Sequence, residues 1–337
     1  MKKILITGGF GFLGTHLTER LLEEPSNRVH VVDDLSTSPI ILEDFLSQVT
    51  ATDRLTYDIC TVETYFGRPD VLSYDEVFHL ASPVGPAGVL SHAGNMVREI
   101  VRDSYLLMDY CAKTGAKLLD VSTSEVYGGG QQGYCPESTP KIVPAETTVR
   151  LEYAIGKLAA ETAIVNTTRV TDLRASIVRP FNVAGPRQSP KGGFVIPRFI
   201  QQIDAGRPVT VFGTGAAVRA FTHVKDMIEG IVLAMQRGRN GEAYNVGNPT
   251  NKTTVLDLAK RVLRLMGAPE TMVAFVDPKT IYGPLYEEAN DKFPDAQKAA
   301  TELDWVPRFG IDQTISDALT EYRRQKTAGM LKDIVDG

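Results

Sequence analysis

The chain has 337 residues, room for one or two domains with a sizeable core, and a net charge of -5. Hydrophobic residues make up 43% and charged residues 23%, ordinary globular usage that excludes a disordered, collagen-like or coiled-coil chain. The mild acidity gives no general electrostatic reason to bind nucleic acid or an anionic membrane, and no stretch approaches the roughly 20 apolar residues of a membrane span.

Residues 3–7 form a short apolar run that reads as a first strand, and it feeds Gly8-Gly9-Phe10-Gly11-Phe12-Leu13-Gly14 and a helix over 12–22. Gly8, Gly11 and Gly14 make a GxxGxxG at a strand-to-helix turn. Backbone N–H groups there, with Phe12 and Leu13 opening the helix, can approach a pyrophosphate on the positive helix end. Tight packing alone would also explain three glycines. The second strand, 28–32, ends at Asp33-Asp34 about twenty residues on, where a carboxylate can accept hydrogen bonds from ribose hydroxyls. Asp33 is the candidate. No Lys or Arg occurs between positions 33 and 38 to hold a 2′-phosphate, so NAD is expected rather than NADP. After a third strand at 54–57, Asp58 and Ile59 fall where an adenine would lie, although a solvated aspartate fits as well.

A fourth strand is expected at 76–80, a helix at 94–114, and a fifth strand at 117–121. The fifth leads into Ser122-Thr123-Ser124-Glu125-Val126-Tyr127-Gly128, at the carboxyl end where open α/β sheets place ligands. These hydroxyls can bind a reacting alcohol or simply cap a turn, and Glu125 can exchange a proton or sit in solvent. In a helix over 150–167, Tyr153 and Lys157 rise from one face a turn apart. A phenol is a poor base at neutral pH unless a nearby cation stabilises its anion, which is what such a lysine offers. A sixth strand follows at 173–178. Six strands with intervening helices predict an α/β fold, a doubly wound parallel sheet over 1–180. Residues 181–337, richer in Pro and Gly, read as a smaller mixed α/β lobe interleaved with the first. Cys60, Cys111 and Cys135 are too few and scattered for a disulfide framework or a metal cluster. No metal is expected, and a soluble, cytoplasmic protein is.

These motifs together resemble the extended short-chain dehydrogenase/reductases, the group of nucleotide-sugar epimerases, dehydratases and decarboxylases. The resemblance also rests on His79-Leu80-Ala81-Ser82-Pro83, Arg179-Pro180-Phe181-Asn182, Gly185-Pro186-Arg187, Arg219-Ala220-Phe221 and Tyr244-Asn245-Val246-Gly247-Asn248-Pro249. It implies a catalytic triad of Thr123, Tyr153 and Lys157, and a cofactor site that includes Leu80 and Ala81. It implies further that Asn182 touches the sugar or phosphate, that Arg187 and Arg219 bind the diphosphate, and that Val195, Phe199 and Phe212 border the nucleotide base. Two helices, 94–114 and 150–167, resemble those that pair in a homodimer.

In that group NAD takes hydride from C4 of the sugar, and the later chemistry differs. A 4-epimerase has little need of Glu125, whereas the Ser-Thr-Ser-Glu-Val-Tyr-Gly string is similar to that of UDP-glucuronate decarboxylases and of some 4,6- or 5,6-dehydratases. A UDP-sugar and a decarboxylase are therefore the leading expectation, with dehydratase, 4-epimerase and a catalytically silent NAD-binding scaffold as alternatives. The sequence departs from the group at Lys292, where decarboxylases have an Arg before Pro-Asp, and at Gly156, where Ser is usual. Asp34 replaces a common Asn, and the glycine-rich stretch 128–136 departs as well.

Overall fold

The computed structural model describes residues 1–38, 41–128, 133–145, 147–283 and 291–330. Residues 129–132 of the glycine-rich stretch lie outside this set.

Seven strands build the central sheet: β1 (Lys2–Thr7), β2 (Asn27–Asp33), β3 (Leu55–Ile59), β4 (Glu76–His79), β5 (Lys117–Val121), β6 (Arg174–Pro180) and β7 (Ala243–Val246). They pair throughout in parallel, in the order β7-β6-β5-β4-β1-β2-β3. Five of the first six fall on apolar runs buried on both faces; β3, at the sheet edge, is largely exposed. The seventh lies outside the expected runs: it arrives after residue 181, so the expected count of six is corrected to seven.

The principal helices are α1 (Phe12–Leu22), α2 (Met96–Thr114), α3 (Val149–Val170), α4 (Val195–Asp204) and α5 (Val224–Arg237). Side chains alternate between sheet faces. Ile4, Ile6, Phe78, Leu119 and Val178 meet α1 and α5 on one face, while Leu5, Val77, Leu118 and Ala175 meet α2 and α3 on the other. α2 starts two residues later than expected because Glu152 of α3 accepts hydrogen bonds from the Gly94 and Met96 N–H groups (2.7 and 3.0 Å). It stops at Gly115, whose φ of +78° ends a helix without strain. A Cβ at Gly156 would stand 3.1 Å from Ile100 Cδ1 and 3.3 Å from Val97 Cα, so the glycine lets the two helices approach.

Beyond β6 the chain forms several two-stranded ribbons and a separate core of Phe199, Ile200, Val211, Leu258, Val262 and Ile315. The ribbon that positions the site pairs Gly133–Cys135 with Lys292–Pro294 in parallel. Among the described residues no helix is long and apolar enough to cross a membrane, and the three cysteines are free.

Candidate active site

The glycine turn is shaped by close approach. Gly8 has φ +73°, and a Cβ on it would lie 2.7 Å from the Ala81 nitrogen; one on Gly14 would lie 2.1 Å from the Gly8 carbonyl oxygen. Leu80 N–H donates to the Thr7 carbonyl (2.9 Å), which seats Leu80 and Ala81 against this turn. Gly11 caps α1 with no side-chain hydrogen bond, so the helix opens, at Phe12 and Leu13, with amides available to an anion. Asp33 closes the far side. Its Oδ2 accepts from Phe10 N–H and its Oδ1 from Leu35 N–H, both at 2.8 Å. Burial pushes its pKa up and those backbone donors pull against the rise. With Gly11 as a third backbone donor, the carboxylate still keeps a lone pair for a ribose hydroxyl. A dinucleotide fits this cradle. Asp58 is committed to Arg68 (2.8 Å) and His30 (3.1 Å), and its exposed neighbour Ile59 is the apolar surface beside it.

At the carboxyl end of β5, Thr123 caps a short turn (Ser124–Tyr127), its hydroxyl accepting from Glu125 N–H at 3.2 Å. The same side chain hydrogen-bonds Tyr153. Tyr153 and Lys157 are buried, and Lys157 Nζ donates to the Val121 carbonyl (2.9 Å). Burial raises the phenol's pKa, and the Thr123 hydrogen bond lowers it. Burial also lowers the lysine's, against the nearby negative charges of Asp120 and Glu161. Thr123, Tyr153 and Lys157 are thus brought together.

Glu125 accepts from Arg150 Nε (2.8 Å) and Lys292 Nζ (3.4 Å). Burial alone would raise its pKa; the two cations overcome that and hold it at about 2. Lys292 also donates to the carbonyls of Ser124 (3.3 Å) and Gly128 (3.4 Å), so it fixes the whole turn that carries Glu125. Sequence reasoning missed Arg150, although its place three residues before Tyr153 puts both on one helix face.

The remaining expected contacts divide. Asn182 is exposed, with φ +37°, its backbone held by Thr222 N–H. Val195 and Phe212 are half-buried, and the Arg198 guanidinium stacks 4.2 Å over the Phe212 ring. Arg219 reaches Asp291 (3.0 Å), the residue before Lys292. Phe199 and Arg187 are placed differently. Phe199 has no exposed surface and packs in the lobe's core. Arg187 is clasped by both oxygens of Glu19 on α1 (2.8 and 2.6 Å) and lies over the Phe45 ring. With His16 bonded to the Pro186 carbonyl (2.9 Å), that arginine docks its loop onto α1.

A glycine cradle with helix-start amides and an acidic ribose partner, on the same parallel sheet whose β5 end meets a buried Tyr-x-x-x-Lys pair, defines a dinucleotide-dependent enzyme of the Rossmann class. More narrowly, the chain belongs to the NAD dependent epimerase/dehydratase family, whose sequence profile matches residues 4–247. Its cofactor is NAD. Among curated proteins it is 30% identical to UDP-glucuronic acid decarboxylase 3 of Arabidopsis thaliana, over 95% of this chain and 89% of that protein. It is 29% identical to the UDP-N-acetyl-alpha-D-glucosaminuronate decarboxylase of Bacillus cytotoxicus, over 96% and 98%. Among solved structures, the dTDP-glucose 4,6-dehydratase of Streptomyces venezuelae, crystallised with NAD, matches at a TM-score of 0.82 and 26% identity, covering 97% of this chain and 98% of that one.

Proposed function

We propose that the chain converts a nucleotide-sugar uronate, UDP-glucuronate first among them, by transient oxidation at C4 followed by decarboxylation. The observation that carries the proposal is the Glu125 carboxylate flanked by Arg150 and Lys292, two residues from the Thr123 that bonds Tyr153. A lone carboxylate would repel an anionic sugar; two cations around one anion leave the turn net positive. The two curated relatives named above, whose names both specify a uronate decarboxylase, support the same choice.

NAD, when bound, supplies the hydride acceptor and later the donor. Tyr153 takes the C4 hydroxyl proton onto its Oη, with Thr123 fixing the phenol's direction and Lys157 supplying the positive charge that the phenolate needs in a dry site. The resulting C4 ketone makes the sugar carboxylate a β-keto acid, which loses carbon dioxide readily. Arg150 and Lys292 keep Glu125 ionised there, so it would serve as a relay that passes a solvent proton to C5 of the enolate left by the departing carbon dioxide, before hydride returns to C4 and Tyr153 returns its proton to the C4 oxygen. Asn182 would hold the sugar, Arg219 the diphosphate, and Val195 and Phe212 the base.

The paired helices α2 and α3 expose Tyr105, Ile155 and Val170 on one side, an apolar face that suits a second copy of the chain. A homodimer in the cytoplasm, where the free thiols stay reduced, completes the reading.

The deciding experiment is mass spectrometry of the product from UDP-glucuronate in heavy water. Loss of carbon dioxide with one deuterium gained at C5 is expected. A product of unchanged mass with inverted C4 would instead make the chain an epimerase, and loss of one water a dehydratase.

A further inference from the structure

Thr7, His79 and Asp120 are successive Cα partners across β1, β4 and β5. They therefore share a sheet face, the one on which Leu5, Val77 and Leu118 pack against α2 and α3 one layer below. At this last layer the face turns polar. Thr7 Oγ1 and His79 Nδ1 lie 2.7 Å apart, but His79 Nε2 and both Asp120 carboxylate oxygens are buried without a hydrogen-bond partner among the described residues. Asp120 is 1% exposed.

A buried carboxylate without donors is a costly choice on a face that elsewhere is apolar, and what faces it is the catalytic helix. Lys157 and Glu161 approach from α3, His79 from β4, and Asp103 of α2 acts on Lys157 from behind. Arg179 of β6 does not answer Asp120, because its Nε and Nη2 are held by Glu161 at 2.9 and 2.6 Å. Among these groups Lys157 alone lends Asp120 a stabilising charge. We propose that Asp120 is a positioning residue for the Tyr153–Lys157 pair, a buried counter-charge that keeps Lys157 an ammonium despite its burial and sets the proton affinity of Tyr153. The inference rests on reading Tyr153 as the base and Lys157 as its partner.

The electrostatics agree in sign. Burial pulls Lys157 down, and Asp120 is the largest influence pulling it back up. Burial raises Tyr153, and Asp120, like Glu125, raises it further. A negative charge removed from between them must lower both proton affinities at once, which a packing defect has no reason to do.

Asp120→Asn and Asp120→Ala each delete the charge, and either one that folds serves. In kcat/KM against pH, both limbs should move to lower pH by an amount on the order of one unit, while Asp120→Glu leaves them near the wild-type positions. Limbs that stay fixed in the uncharged variants, or that move in opposite directions, overturn the proposal. A readout free of turnover is the tyrosinate absorbance of the NAD-bound chain, taken as the difference from Tyr153→Phe: its midpoint should fall in Asp120→Asn, and an unmoved midpoint overturns the proposal equally. Full turnover in Tyr153→Phe would instead sink the underlying reading. A dead Tyr153→Phe beside an unmoved Asp120→Asn sinks only the counter-charge.

Discussion

Tyr153 packs its ring among Met96, Ile100 and Ala160, so removing the hydroxyl alone leaves that cluster intact. Tyr153→Phe should fold and bind NAD yet lose turnover by about 10²- to 10⁴-fold, the usual scale for a positioned proton acceptor. Steady-state rates beside a cofactor titration check it. Glu125→Gln tests a different step. Because Arg150 and Lys292 hold that carboxylate at about 2, it stays ionised across any working pH, and its loss should lower kcat without displacing the acid limb of the profile. Oxidised 4-keto sugar should accumulate in the product mixture; wild-type kinetics would return Glu125 to a solvent-facing role. Tyr153, Lys157 and Thr123 were legible in the sequence because helical spacing and a strand end fix them locally. The partners of Glu125 were not equally so: Lys292 sits 167 positions away and meets it only through the ribbon of Gly133–Cys135 with Lys292–Pro294. The partner of Arg187 was hidden for the same reason, since Glu19 lies 168 positions earlier on another element.

Elements meet in this protein through specific close approaches. Gly14 lets α1 rest on the β1 turn, and the nearest atom to a new Cβ is a backbone oxygen that cannot step aside. Gly14→Ala should therefore displace the helix, weaken NAD binding and destabilise the chain by about 1–3 kcal/mol, read by cofactor titration and by the urea midpoint. Glu152 works between helices, its carboxylate on α3 holding the first amides of α2, and Glu152→Ala should cost about 1 kcal/mol with the active-site residues undisturbed. An unchanged midpoint would mean that solvent satisfies those amides as well. The six strands and three long helices of the first 180 residues could be read in sequence because most carry their own apolar run or helical period, whereas the short helices Leu42–Gln48, Val62–Phe66 and Gly85–Ser91 have too few turns to show one. β7 could not. It is four residues long, too short for a period, and it reaches β6 only after about sixty intervening residues that include α4 and α5.

For the molecule as a whole, pH acts through the groups that folding has displaced furthest. Burial lowers His79 to about 3 and His16 to about 4. Unfolded histidines take up protons near pH 6.5 and these two resist until far lower, so their contribution is intact above about 6.5 and drains as pH falls toward 4 and 3. Glu125, held at about 2, adds a loss below about pH 4.5. Asp120 runs the other way. Burial raises it to about 6, so its ionisation penalises the folded state fully above that pH and not at all below about 3.8, where both states are protonated. Asp120→Asn deletes this penalty alone. Near pH 8 it should be more stable than the wild type by up to about 3 kcal/mol, a rise of several degrees in Tm, and the advantage should close near pH 4. Thermal melts at the two pH values measure it, and a variant that melts lower near pH 8 would show that the carboxylate is anchored by donors after all. A chain that carries a destabilising buried charge beside Lys157, where leucine would serve the packing, has given up stability at the place where the proposed chemistry needs a field.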